Sequence, residues 1–119
     1  MRHLVIFFST SVLSCTSALV AADPTWVEVK AVLDARCTDC HGETKQKSGL
    51  RLDSPEWLLK GGHEGPAVVP GKPESSRLYT LAAAPVDEEY KMPPKGPRLT
   101  AEQLATIKGW IAAGAKVEH

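Results

Sequence analysis

Cys37-Thr38-Asp39-Cys40-His41 sets two thiols three residues apart and puts an imidazole directly after the second. The one other cysteine, Cys15, stands in an apolar stretch near the N-terminus. The body of the chain therefore has no disulfide framework to fold on. A bridge between Cys37 and Cys40 would close a loop too short to brace anything. Yet the chain has only 119 residues, one domain's worth, and a domain of this size gains from a staple. The spacing thus points to a fold organised around something other than disulfides, and a large apolar cofactor would serve.

The N-terminus does not read as part of that fold. Arg2 and His3 precede an uncharged apolar and hydroxyl run, Leu4 to Val20, and Val20-Ala21-Ala22 offers small residues ahead of Asp23. These are the charged region, apolar region and cleavage site of a secretory signal peptide. The reading divides the chain into a signal peptide over 1–22 and one domain over 23–119. A retained membrane anchor is the alternative, although about 17 residues diluted with Ser and Thr sit at the lower limit of a span. A third reading lipidates Cys15, which follows Leu13-Ser14.

Past the leader, helical periodicity marks the two ends. Asp23-Pro24 reads as a helix start, and Trp26, Val29, Val32 and Leu33 recur at helical spacing toward Arg36. That helix delivers Cys37 at its end. Gly42 to Ser48 is polar. Ser54-Pro55 opens a short helix that Gly61-Gly62 ends. After a loop from Gly61 to Pro73, Glu74 or Ser75 starts another short helix through about Ala83, stopped by Pro85. Asp87 to Arg98 is again loop. Thr100 with Gln103 forms a capping box for the clearest helix, striped by Leu104, Ile107, Trp110 and Ile111 and ended by Gly114. The expected class is all-α, three to five short helices with long loops. The nine glycines and nine prolines suit that.

C-x-x-C-H is the attachment signature of c-type haem. Two thiols at this spacing add to the two vinyl groups on one porphyrin edge, and the next residue is carried under the ring centre, where imidazole binds iron. A thioredoxin-like redox pair would want a βαβ setting, and none is visible. Zinc needs four ligands, and beyond the two thiols only His41, His63 and His119 offer nitrogen. For the sixth iron position the candidate is Met92, the only methionine besides Met1. Pro93 and Pro94 stiffen its loop, and Met/His ligation raises the potential of a cytochrome c. His63, between Gly61-Gly62 and Gly65, is the competing ligand, and an ordinary surface methionine the plainer reading of Met92. A metal-bound histidine usually donates its other N–H to a carbonyl or carboxylate, for which Pro66 or Pro70 is the candidate carbonyl. Arg51, Arg77 and Lys91 are candidates for the haem propionates. Trp110, Leu104 and Tyr79 are expected to pack on the haem or the first helix.

Cys37 to His41 with Gly42, then Gly49-Leu50-Arg51-Leu52-Asp53, Gly61-Gly62, Gly65-Pro66, Pro70-Gly71, Met92-Pro93-Pro94 and Trp110-Ile111-Ala112-Ala113-Gly114-Ala115 together resemble the cytochrome c domain common in planctomycete proteins, within the class I c-type cytochromes. The resemblance covers nearly all of residues 23–119. It implies the cytochrome c fold, with terminal helices crossing and haem in a cleft, and it implies Met92 as the distal ligand.

The expected function is that of an exported, periplasmic monohaem cytochrome carrying single electrons, with one covalent haem c held through Cys37 and Cys40, and His41 and Met92 on iron. It is read as a carrier rather than an enzyme. One rival is a haem with an open or displaceable sixth position, serving a gas sensor or a peroxidase-like enzyme. Another is a relay module of a larger redox assembly. Fourteen basic and fourteen acidic side chains give no basic surface for nucleic acid. Redox proteins docking transiently are the expected partners. Membrane association is expected only if the N-terminal segment is retained or lipidated.

Overall fold

The computed structural model describes residues 3–9, 11–12 and 22–117. The expected lipidation residue Cys15, most of the expected cleavage site and His119 lie outside the described residues. Four α-helices follow in order: α1 Trp26–Arg36, α2 Pro55–Lys60, α3 Arg77–Ala83 and α4 Ala101–Ala112. Single 3-10 turns occupy Lys47–Gly49 and Pro73–Ser75. Among the described residues the only β-type pairings are isolated bridges, His41 with Gln46 and Gly62 with Gly65. The all-α expectation agrees with this architecture.

Helix α1 begins two residues later than the Asp23-Pro24 signal suggests. Thr25 is the cap: its hydroxyl accepts from the Glu28 N–H, and the Glu28 carboxylate accepts from the Thr25 N–H at 2.7 Å. A reciprocal box satisfies two N-terminal groups at once, which a lone Asp at position 23 would not. Pro24 instead packs against α4, where a Cβ on Gly109 would stand 3.0 Å from its ring. Before α3, the expected single helix is split. Ser76 is fully buried between the 3-10 turn and α3, its hydroxyl accepting from the Val69 N–H and donating to the Lys72 carbonyl. The extended backbone of Ser76 interrupts the helical run there.

The terminal helices pack on each other. Val29 and Leu33 of α1 and Ile107 and Ile111 of α4 are wholly buried, each worth about 1.5–3 kcal/mol over exposure. Trp26 lies on Trp110 with ring centroids 5.5 Å apart, and the Trp110 indole N–H donates to the Lys116 carbonyl. Trp110 thus packs on the first helix, one of the two surroundings expected for it. Leu58 of α2 and Ala82 of α3 join the same core, with Ala67 and Val68 between them in sequence. Backbone bonds stitch this middle part: Ala67 N–H donates to Leu58, and Leu78 N–H to Ala67. Leu4 to Phe8 and Val12 contribute nothing to the core and are exposed. No helix among the described residues is long and apolar enough to cross a membrane.

Candidate cofactor site

Helix α1 ends at the motif. Cys37 is its C-cap, its N–H still bonded to the Leu33 carbonyl at 2.7 Å. The chain then turns tightly: the N–H groups of Cys40 and His41 both donate to the Cys37 carbonyl. A second layer of backbone bonds locks the turn from behind. Lys47 N–H donates to Cys40, Gly42 N–H to Lys45, and Leu52 N–H to His41 at 2.7 Å. Every partner lies within about a dozen residues of the motif.

His41 is 9% exposed. Its Nδ1 stands 3.1 Å from the Lys47 carbonyl oxygen. A carbonyl can only accept, so Nδ1 is the donor, and in the neutral ring the lone pair is on Nε2. The imidazole is thereby fixed in the tautomer a metal needs. The carbonyl is not that of Pro66 or Pro70, as the sequence suggested. The 3-10 turn starting at Lys47 folds back onto the motif, with the Lys47 N–H donating to the Cys40 carbonyl. The polar stretch 42–48 held this function with no visible signal, because backbone carbonyls are the same in every residue type.

Both thiols and His41 line one cleft that is open to solvent at its mouth. Its walls are largely apolar: Leu50 and Leu52 after the motif, Ala67, Leu78 and Leu81 from the middle, and Ile107 from α4. Met92, Pro93 and Pro94 also line it. Met92 is 39% exposed, and its N–H donates to the Leu81 carbonyl at 3.0 Å. His63 also reaches the cleft, but its N–H is tied to the Ser48 carbonyl and its ring lies against Gly49. It therefore sits beside the turn that braces His41. Gly49 has φ +68°, which favours glycine, and a Cβ there would stand 2.8 Å from the exposed His63 ring, which would have to move aside.

The charged candidates separate. Arg77 lines the cleft. Arg51 is drawn away from it, donating to Asp53 through Nε at 2.9 Å and lying 4.5 Å over the Trp57 ring. This bond holds the Asp53 carboxyl below its ordinary range and raises the guanidinium. Lys91 donates to the Glu88 carbonyl. Arg36, which the sequence did not single out, lines the cleft and donates to the Pro97 carbonyl.

Cys37 and Cys40 are unbridged. Burial pushes the Cys37 thiol up to about 11, so it is un-ionised at neutral pH. Among the described residues no three His, Cys, Asp or Glu side chains gather as a metal cluster. A flat, mostly apolar group with two thioether attachment points and a metal at its centre fits this donor set: two thiols on one edge, an oriented imidazole and a thioether in one hydrophobic cleft.

A family model described as Planctomycete cytochrome C matches residues 37–96, which is half the chain. Neither a curated protein nor a solved structure gave a match. The match begins at the first thiol and runs past Met92. It thus spans the motif, the His41 brace and the methionine loop described above. This chain belongs to the planctomycete cytochrome c family, whose cofactor is covalently bound haem c.

Proposed function

We propose that this protein is an exported monohaem cytochrome that carries single electrons between redox proteins, with His41 and Met92 as the iron ligands. The observation that carries the reading is a single cleft lined by Cys37, Cys40, His41 and Met92, with the Nδ1 of His41 engaged by the Lys47 carbonyl so that Nε2 is the nitrogen free for a metal. Bound haem supplies a one-electron couple. The protein's part is to exclude water with Leu50, Leu52, Leu78 and Ile107, to hold the imidazole, and to offer a neutral thioether that favours reduced iron. With both His41 and Met92 engaged by the bound group, no position would be left for substrate, which favours a carrier over a sensor or a peroxidase-like enzyme.

Placement of His63 beside the brace of His41 favours Met92 over it as the sixth ligand. Exposure of the apolar residues from Leu4 to Phe8, outside any packing, supports a leader over 1–22 and a domain over 23–119. Near-neutral charge implies weak long-range steering, so partners are met by a small local patch around the cleft mouth.

The deciding experiment is an optical and redox titration of holoprotein matured with its haem. A methionine–iron far-red band in the ferric protein and slow carbon monoxide binding in the ferrous protein are expected. Rapid carbon monoxide binding with no such band would establish an open site instead.

A further inference from the structure

Met92-Pro93-Pro94 has one backbone N–H, that of Met92, because proline has none. That N–H goes to the Leu81 carbonyl. The segment has no further backbone donor with which to hold itself. Helix α3 has the complementary deficit. Its last carbonyls lack intrahelical donors, and Ala84 leaves in an extended conformation before Pro85 with no backbone cap bond. One side chain meets both needs. Arg98 Nη2 lies 3.0 Å from the carbonyl of Leu81, 2.9 Å from that of Ala82 and 3.1 Å from that of Ala84. Its Nη1 donates to the Pro93 carbonyl at 2.9 Å. The Leu81 carbonyl thus receives both the Met92 N–H and Arg98. The guanidinium sits at a helix C-terminus, where a cation is favoured, and its Nε is buried without a partner.

We propose that Arg98 is the positioning residue for the methionine ligand. It splints the Met92–Pro94 segment to the end of α3 and so holds the thioether in the cleft against competing ligands. This rests on the reading of Met92 given above. A neutral, weak ligand keeps its place only if its segment is preorganised. Lysine cannot replace arginine here: it keeps the charge but lacks the planar fork that spans two segments.

The test uses ferric holoprotein and imidazole as the competing ligand, in the wild type, Arg98→Lys, Met92→Ala and the double variant. Far-UV circular dichroism and a thermal melt of each confirm the fold. Arg98→Lys is expected to weaken the far-red band and to bind imidazole about tenfold more tightly, the scale of one lost charge-assisted hydrogen bond. In the Met92→Ala background the same substitution is expected to change affinity by about twofold or less, because the group it acts through is gone. Should Arg98→Lys mature poorly, Arg98→Gln carries the same comparison. Wild-type affinity with an intact band in the Arg98 variant overturns the proposal and leaves Met92 as ligand. An equal tenfold change in both backgrounds also overturns it, since Arg98 would then shape the cleft at large. A wild type without the band, or one that Met92→Ala does not alter, removes the ligand reading and this proposal together.

Discussion

The two sides of the cleft are built differently. The His41 side is made of near neighbours: Cys37 to Leu52 bond to one another through backbone groups, and the imidazole's partner, Lys47, is six residues away. The Met92 side is tied to another element, the end of α3. Met92 bonds back to Leu81, and Arg98 reaches carbonyls 14 to 17 residues earlier. His41 is 9% exposed, while Met92 is at 39%. Local bonds form at small loop-closure cost, so the attachment side is rigid by construction. The methionine side depends on the rest of the fold being in place. A covalent anchor on the rigid side and an exchangeable ligand on the dependent side is the division expected of these two constructions.

The largest effect is expected where the sides differ most in kind. Replacing Cys37 and Cys40 together by alanine should abolish covalent haem, read as the bare polypeptide mass of exported protein; retention of the haem mass would break the assignment of the attachment side. Met92→Ala should do the opposite. Haem stays attached, the far-red band disappears, carbon monoxide binds rapidly, and the potential falls by on the order of tenths of a volt within the roughly 0.8 V that ligands and burial span. Loss of attachment in that variant would erase the distinction between the two sides.

A finer comparison uses one glycine from each side. Gly49→Ala places a methyl 2.8 Å from the His63 ring at φ +68°, whereas around Gly96, at φ +84°, no atom lies within 4 Å of the new Cβ. Both incur the left-handed penalty of about 1–2 kcal/mol. Gly49→Ala should cost more by denaturant unfolding of the holoprotein only by what it takes to move the His63 ring aside, and equal costs would show that the ring yields freely. The smallest effect is expected outside both. Thr25→Ala removes the α1 cap at about 1 kcal/mol, a Tm decrease of about 4–8 °C, with the haem spectrum unchanged. A spectral change there would mean that the start of α1 reaches the attachment side, and the comparison would need redrawing.

Much of the attachment side was legible because its information is local. Cys37, Cys40 and His41 are neighbours, their spacing matches one chemistry, and the helix that carries them has a clear apolar period in Val29 and Leu33. The capping box of Thr100 and Gln103 was equally plain, since cap and partner are three residues apart. The Thr25–Glu28 box was masked by the stronger-looking Asp23-Pro24, whose proline is used for packing on Gly109 instead.

What the sequence by itself determined is the chemistry of attachment and the helical class, because both rest on residue types and short spacings. What only the tertiary structure decided is which backbone carbonyl orients His41, that Arg51 is occupied by Asp53 and Trp57, and that Arg98 joins the methionine loop to α3. Carbonyls have no identity in a sequence, and an arginine's partners are set by which segments the core brings within reach of its guanidinium. Those choices exist only after Val29, Leu33, Ile107 and Ile111 have closed the chain on itself.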